Sequence, residues 1–498
     1  MAHAISSPLS PEYAKAASRV GNEIWFRKKE AEAGADALGG ALTEETSGRS
    51  IWFNTVLLAA TVGLLILIIL LKAKSAATEY LDPTLVFYTL FVTLFQLSRL
   101  VTSLMYRSSY RAALTPLETG SLTGQAASYQ PKISFVIPCM NEENEIQNTI
   151  ETCFRAHYPK HLLEVIVIND ASTDSTQQKI FEMKDTYPGL KIIDWSENRG
   201  KRYGMAEGFR RATGEIVVQL DSDSRIETRD VPKLAEAFRN PAVGAVSFHT
   251  DPANAEENLL TRMQAAYYFL SFRILKAAES TFRTVFCCSG CASAYRRDVV
   301  LPHIDEWLSE KFLGKPVTWG DDRALTNRVL KAGYETLYSD RVRAYTIVPS
   351  TLRQFLKQQV RWKKGWFVNS MFAARFIIRR DPFVAFTYFF PLVAVTILAP
   401  FMAARAFIYT PFVHGISSTY YYVFGVIAIA ALITVVYRYY SRSNKYWPYV
   451  LPWAIFNMFI LSYLLIFALL TIQNRKWGTR TVTQPAPARL RTAAPLAA

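Results

Sequence analysis

The sequence has few cysteines and an odd number of them, five among 498 residues, and all five lie in the middle of the chain. A small, odd set excludes a framework of paired disulfides and suits a protein that keeps its thiols reduced. Cys287, Cys288 and Cys291 resemble half of a zinc site, but no second Cys or His pair follows nearby. A structural zinc site is therefore the less favoured interpretation.

The chain also lacks the pattern of a cleavable secretory leader, because its first long apolar run begins only near residue 51. Acidic residues are outnumbered, with 41 Asp and Glu against 56 Lys and Arg, which gives a formal net charge of +15. Such an excess of positive charge is compatible with nucleic-acid binding. Because the chain also has long apolar blocks, anionic lipid head groups and an anionic substrate are the favoured binding partners instead. We expect contact with membrane lipids and no nucleic acid.

Apolar runs at both ends frame a mixed, charge-bearing middle, the pattern of a membrane protein that carries a soluble domain. The predicted division is a tail at 1–50, a transmembrane hairpin at 51–106, a linker at 107–131, an α/β domain at 132–350, amphipathic interface helices at 351–381, a C-terminal transmembrane region at 382–473 and a final segment at 474–498. Arginines after the hairpin predict that the soluble domain is cytoplasmic.

Individual spans are predicted at 51–71, 84–106, 382–405 and 419–437. Arg99 lies inside the second span, where we expect it to snorkel from near the helix end. The apolar stretch 449–473 either crosses the membrane or re-enters it. Full crossing would place the basic residues that follow it outside, so the positive-inside rule favours re-entry.

Short apolar runs alternate with helical stretches between residues 133 and 220, which predicts an α/β domain with a largely parallel sheet. Ligands bind beyond the carboxyl ends of such strands, and Asp170, Asp221 and Asp223 fall at predicted strand ends. Two carboxylates separated by one residue can reach a single divalent cation, although such a pair alone is more often a solvated turn.

Three further clusters make the acidic pair more informative. A cationic loop at 198–202 contains a glycine and suits phosphate groups, although it is also compatible with a solvated turn. Asp321 and Asp322 precede a helical run, where an aspartate either caps the helix or acts as a general base. Arg361 and Trp362 lie in a basic amphipathic stretch; an Arg suits pyrophosphate, and a Trp face commonly stacks on a sugar ring.

In their order, these motifs resemble membrane-embedded family-2 glycosyltransferases, such as hyaluronan, chitin-oligosaccharide and cellulose synthases, over residues 131–370. The shared motifs are Pro138, Asn141-Glu142, Asn169-Asp170, Asp221-Ser222-Asp223, Gly320-Asp321-Asp322 and Gln358-x-x-Arg361-Trp362. Stretches most like hyaluronan synthases are Arg199–Arg202, Phe282–Val285, Gly320–Asn327 and Trp477–Arg480, the last matching a gating loop. The segment 289–292 departs from the usual Gly-Pro pair, and its flanks are equally similar to the chitin-oligosaccharide enzymes.

The resemblance implies a GT-A domain, a UDP-sugar donor, Mg²⁺ or Mn²⁺, a growing polysaccharide acceptor and inverting transfer. It implies that Asp322, with Asp321, is catalytic and that Asp223 holds the metal. The implied nucleotide-sugar-binding residues are Asn141, Asp170, Lys201, Arg202, Asp221, Ser222, Gln358, Arg361 and Trp477. The implied acceptor-binding residues are Trp362, Cys288, Ser289, Gly290 and Cys291.

The leading functional hypothesis is a plasma-membrane synthase that polymerises UDP-GlcNAc and UDP-GlcA and passes the chain outward. A polymerase of UDP-GlcNAc alone and a non-processive lipid glycosyltransferase are the enzymatic alternatives. A membrane scaffold with a degenerate domain is the non-enzymatic one. The intact acidic motifs argue against the scaffold, and the Gln358-x-x-Arg361-Trp362 motif argues against the lipid enzyme.

Overall fold

The computed structural model describes residues 81–114, 129–441 and 444–474, together with Ile66 and Leu70. Apart from Ile66, they belong to one unit of the chain, residues 68–498. The predicted tail at 1–50, nearly all of the first predicted span and Trp477 lie outside the described residues.

The α/β domain is built on a central sheet. Its strands, with those of a small hairpin, are β1 Ile133–Cys139, β2 Leu163–Asp170, β3 Leu190–Trp195, β4 Ile216–Leu220, β5 Ser224–Ile226, β6 Val243–Pro252, β7 Ala292–Arg296, β8 Lys311–Phe312, β9 Lys315–Pro316 and β10 Glu335–Thr346. The central sheet has the order β3-β2-β1-β4-β7-β6-β10-β5, and β8 pairs with β9. Strand β7 runs antiparallel to β4 and β6, and β5 antiparallel to β10, while the other neighbours are parallel. The prediction of a mixed, mostly parallel sheet is confirmed.

Helices cover the sheet and continue into the membrane part. They are α1 Pro83–Leu114, α2 Ile146–Phe154, α3 Thr176–Thr186, α4 Lys201–Arg211, α5 Val231–Ala237, α6 Leu259–Phe269, α7 Ala277–Thr281, α8 Arg297–Val300, α9 Ile304–Leu308, α10 Asp321–Lys331, α11 Leu352–Ala374, α12 Ile377–Arg380, α13 Pro382–Val384, α14 Phe390–Ala404, α15 Thr410–Val413, α16 Ser417–Tyr440, α17 Val450–Phe456 and α18 Leu464–Leu470. Several are joined by π-helical turns, notably Leu270–Lys276 and Asn457–Leu461.

Within the described residues, four helical stretches are long and apolar enough to cross a membrane: Pro83–Tyr106, Pro382–Val413, Ser417–Tyr439 and Trp447–Leu470. The expectation that Arg99 snorkels is wrong. Its side chain is buried, and its guanidinium lies over the rings of Phe95 and Tyr388, at 5.0 and 5.4 Å from their centroids. Arg99 therefore faces the protein interior, the other way in which a membrane helix accommodates a charge.

Both ends of the segment 444–474 contact the α/β domain or the helix that follows it. At its start Lys445 pairs with Glu256 of the α/β domain at 2.8 Å. At its end Lys364 of α11 donates to the carbonyl oxygen of Thr471 at 2.6 Å. The segment contains a helical stretch long enough to cross a membrane, and its re-entry stays a prediction.

Glu164 ties the strands together at the end of the sheet that lies opposite the predicted site. Its buried carboxylate accepts from Lys191 and Ser134 and, at 2.8 Å, from the backbone N–H of Thr213. Burial disfavours the charged form, but these hydrogen bonds outweigh it and hold the pKa of Glu164 at about 2. The ionised Glu164 side chain therefore stabilises the fold at a pH above its unfolded-state pKa, and this stabilisation is lost as the pH falls through its folded-state pKa.

We expect Glu164→Gln to lower the free energy of unfolding by about 1–3 kcal/mol at pH 7, because the amide cannot accept the same charge-assisted bonds. The difference in the free energy of unfolding between the variant and wild type should shrink as the pH falls from 4.5, the ordinary pKa of a glutamate, toward about 2, the pKa of Glu164 in the fold. Apparent melting temperatures of both detergent-solubilised proteins across this range provide the measurement. Glu151→Gln, in a partly exposed pair with Arg155, is the control with little expected effect. A pH-independent difference would contradict the assignment.

Candidate active site

A cavity of about 430 Å³ lies where β4 ends, between the α/β domain and α11. Its wall contains the predicted residues Lys201, Asp221, Asp223, Ser289, Gly290, Cys291, Asp321, Asp322, Gln358, Arg361 and Trp362. Predicted residues that do not line it are Asn141, Asp170, Arg202, Ser222 and Cys288. Five segments that are separate in sequence therefore converge on one cavity at the sheet edge that the α/β pattern predicted.

Asp322 lies in the first turn of α10 with its carboxylate held on both sides. One oxygen, Oδ1, accepts from the backbone N–H of Arg323 at 2.8 Å. The other, Oδ2, accepts from the backbone N–H of Gly290 at 3.2 Å and from the thiol of Cys287 at 3.4 Å. A helix N-terminus favours a negative charge, so the side chain is fixed as an oriented carboxylate at the cavity wall.

Two glycines allow the start of α10 to pack directly on α11. Gly320, the residue before α10, has φ +70°, and a Cβ there would lie 2.8 Å from Asn369 Nδ2. A Cβ on Gly365 of α11 would lie 2.9 Å from the Cα of Gly320. Because neither position has room for a side chain, the glycines set the spacing between Asp322 and the residues that α11 contributes.

Asp321 also reaches the cavity wall, but its carboxylate is paired with Arg202, whose Nε donates to Oδ1 at 2.6 Å. Arg202 is buried and also donates to the carbonyl oxygen of Trp307 at 3.1 Å. Its guanidinium thus points into the domain rather than into the cavity, where the sequence had predicted a nucleotide contact. This arrangement leaves Asp322 as the better placed base.

Asp221, Asp223 and Lys201 are charged residues that line the cavity near the carboxyl end of β4. Lys201 pairs with Asp221, and this partner raises the pKa of Lys201 against the opposing effect of burial. Burial and the neighbouring carboxylates of Asp221 and Glu142 raise the pKa of Asp223 to about 7. No group of three or more His, Cys, Asp or Glu side chains in the described residues forms a complete cation site. The carboxylates of Asp221 and Asp223 at the end of one strand nevertheless fit a divalent cation that ligand oxygens would help to coordinate.

Asp170 and Asn141 support the loops beside the cavity. Asp170 accepts from the backbone N–H groups of Arg199 and Gly200 at 2.6 and 2.9 Å, which orients the loop that carries Lys201. Asn141 Oδ1 accepts from the backbone N–H of Thr173 at 2.8 Å. Ser222 and Cys288 contribute backbone contacts nearby, since the Ser222 carbonyl accepts from Thr149 and the Cys288 N–H donates to Thr326.

Sequence reasoning missed a second set of charges in the cavity wall, namely Lys276, Arg323, Lys363 and the carboxylate of Glu279. Lys276 and Arg323 interact with Glu279, as does Arg99 of the membrane helix α1. Burial raises the pKa of Glu279, although Lys276 opposes the shift, and burial lowers the pKa of Lys363 to about 8. The sequence carried one indication, because Lys276 and Glu279 are oppositely charged residues three positions apart, a spacing that brings side chains together on a helix.

Comparison with known proteins identifies the domain. Residues 134–301 match the model of glycosyl transferase family 2. A hyaluronan synthase of Streptococcus pyogenes serotype M1 is 30% identical over 355 residues, which are 70% of this chain and 83% of that protein. An N-acetylglucosaminyltransferase of Neorhizobium galegae is 30% identical over 366 residues, 72% of this chain and 82% of that protein.

Among solved structures, a mannosyltransferase from Pyrobaculum calidifontis, in complex with GDP-Man and Mn²⁺, superposes with a TM-score of 0.48 and 20% identity. The match covers 79% of this chain and 100% of that one. The apolar helices and the relatives show an integral membrane protein with a GT-A domain. The chain belongs to the processive, membrane-embedded glycosyltransferases of family 2, which include hyaluronan synthases and N-acetylglucosaminyltransferases.

Proposed function

We propose that this glycosyltransferase polymerises hyaluronan from UDP-GlcNAc and UDP-GlcA. The observation that carries the choice of product is the cationic cluster beside Glu279. Lys276, Arg323 and Arg99 interact with the Glu279 carboxylate, Asp322 is a second carboxylate near Arg323, and Lys363 is a further cation in the cavity wall. A polymer with a carboxylate on every second sugar matches this excess of positive charge, whereas a neutral GlcNAc polymer gains nothing from it.

Cations buried in this way are costly unless they are paired. Lys276 donates to the carbonyl oxygen of Cys287 and lies 4.9 Å from the centre of the Phe272 ring, and the Glu279 carboxylate is its charged neighbour. Arg99 lies in the adjacent membrane helix and adds a further interior positive charge. An anionic chain that leaves the cavity in this direction would meet successive cations.

In the proposed reaction Asp322 removes the proton from the acceptor hydroxyl, whose oxygen then attacks the anomeric carbon of the donor sugar. The bond from that carbon to the diphosphate oxygen breaks in the same displacement, which inverts the anomeric centre and releases UDP. Lys201 and Arg361 stabilise the charge on the leaving diphosphate. Trp362 in the same wall provides a face on which the acceptor sugar stacks.

A divalent cation, Mg²⁺ or Mn²⁺, would be held by Asp223 with help from Asp221. When bound, it neutralises the diphosphate of the donor as a Lewis acid. The raised pKa of Asp223 supports this assignment, because the cation relieves the repulsion that Asp221 and Glu142 impose. Asp170 and Asn141 would act on the nucleotide from the loops at the sheet edge.

We place the enzyme in the plasma membrane with its catalytic domain in the cytoplasm, where UDP-sugars are made. The re-entrant arrangement of residues 449–473 belongs to this proposal. It would return the chain to the cytosolic side of the membrane. The five free cysteines agree with a reducing compartment.

A polymerase of GlcNAc alone is the second candidate. Its support is the cavity-lining segment Ser289 to Cys291, whose flanks, a Cys-Cys start and a Tyr295-Arg-Arg297 end, resemble the chitin-oligosaccharide enzymes as much as the hyaluronan synthases. The equal identity to the N-acetylglucosaminyltransferase of Neorhizobium galegae also agrees with it.

Purified protein in lipid vesicles separates the two candidates. UDP release is followed with Mg²⁺ or Mn²⁺ and with UDP-GlcNAc, UDP-GlcA or both, and the product is digested with hyaluronidase or chitinase. We expect sustained release and hyaluronidase-sensitive polymer only when both donors are present. Chitinase-sensitive polymer from UDP-GlcNAc alone would replace the proposal with the second candidate.

A further inference from the structure

We infer that Gln219 is a specificity-determining residue whose side-chain carbonyl oxygen accepts a hydrogen bond from the donor sugar. This inference rests on the proposed use of the cavity as a UDP-sugar site. The sequence shows only a polar residue inside the apolar end of β4, two positions before Asp221.

The side chain of Gln219 is fully buried and lines the cavity. Its Nε2 donates to the carbonyl oxygen of Gly290 at 2.9 Å. Its Oε1 is buried and accepts no hydrogen bond from any residue that the structure describes. An unmet buried acceptor is costly, so its retention at a cavity wall points to a bound group that satisfies it.

The partner of Nε2 also fixes which end of the amide is unmet. The two ends of a glutamine amide are assigned from their hydrogen bonds, and a flipped amide would place Oε1 against the Gly290 carbonyl oxygen. That contact is repulsive, so Oε1 is the free end. The ligand group must therefore be a hydrogen-bond donor, that is a hydroxyl or an amide N–H.

The position of Gln219 selects the donor sugar over the nucleotide and the acceptor. A Cβ placed on Gly290 would lie 3.4 Å from Gln219 Nε2, 3.7 Å from Lys201 Nζ and 3.8 Å from Asp322 Cβ. Gln219, the cation assigned to the diphosphate and the base assigned to the acceptor hydroxyl thus surround the same point at Gly290. In a single displacement this is where the donor sugar must lie, with its anomeric carbon between leaving group and nucleophile.

The test measures affinities without turnover, in protein that carries Asp322→Asn. Gln219→Met, which keeps the size and removes the acceptor, is compared with Gln219 for binding of UDP, UDP-GlcNAc and UDP-GlcA. We expect the affinity for a UDP-sugar to fall about 3- to 10-fold, the effect of one hydrogen bond, and the affinity for UDP to stay unchanged. A loss for UDP-GlcNAc alone would assign the acetamido N–H, and a loss for both sugars a ring hydroxyl that they share.

Unchanged affinities for both UDP-sugars would overturn the inference. An equal loss for UDP would also overturn it, since it would show that Gln219 only holds the Gly290 loop in place. If the protein with Gln219 intact binds neither UDP-sugar, the proposed function fails instead, and the two failures are thereby distinguished.

Discussion

Replacing Asp322 with Asn is expected to lower the rate of sugar transfer about 10²- to 10⁴-fold, the usual contribution of a positioned general base. The amide cannot take up the acceptor proton. It can still accept from Arg323 N–H at the start of α10, so the fold should be kept. Lys201 and Asp221 are untouched, so the affinity for UDP-GlcNAc should remain close to wild type. UDP release and equilibrium binding of the donor measure the two effects separately.

The matched control is Asp305→Asn, because the Asp305 side chain is 91% exposed and pairs with Arg210 at the surface. It should leave the transfer rate unchanged. If Asp322→Asn retained normal turnover, the base would have to be another residue of the cavity wall, with Asp321 the first to test.

The substitution Gly365→Ala is expected to lower the transfer rate about 10²-fold although it adds one methyl group. Alanine in a helix interior is favoured over glycine by about 1 kcal/mol, so helix propensity alone would make it stabilising. The new Cβ would, however, lie 2.9 Å from the Cα of Gly320, a backbone atom that cannot rotate away. Helices α10 and α11 must then separate, and a displacement of about 1 Å between Asp322 and Trp362 is enough for such a loss.

Gly189→Ala is the control for this prediction, since its Cβ would meet only Phe154 Cε1 at 3.9 Å, an ordinary contact. Transfer rates and apparent melting temperatures are compared for both variants. A fully active Gly365→Ala enzyme would show that the close approach of α10 and α11 does not set the geometry of the site.

Local sequence patterns predicted the first half of the domain well. Strands β1 to β4 are short apolar runs followed by turn residues, and they lie between residues 133 and 220 as the alternating pattern predicted. Strand β10 was missed, because polar and charged residues such as Asp340 and Arg341 interrupt its apolar pattern. Its pairing with β6, which is distant in sequence, stabilises it, and no local pattern reports such a contact.

The candidate site was also predicted only in part from local sequence. The acidic motifs at strand and helix ends were recognisable in the sequence, and the structure places Asp221, Asp223 and Asp322 in one cavity. The side-chain direction of Arg202 was not predictable, because its partners Asp321 and Glu310 lie more than 100 positions away. The cations beside Glu279 were likewise hidden, since only the packed helices bring Arg99, Lys276 and Arg323 to this carboxylate.

The most direct test of the central proposal is the ratio of the two sugars in the polymer that the purified protein makes. Differently labelled UDP-GlcNAc and UDP-GlcA are supplied together with Mg²⁺ or Mn²⁺, and the label in the high-molecular-weight product is counted. An alternating anionic polymer requires equal incorporation of the two sugars, and that is the result we predict. A polymer that contains GlcNAc and no GlcA would contradict the assignment of hyaluronan and of the cationic exit from the cavity.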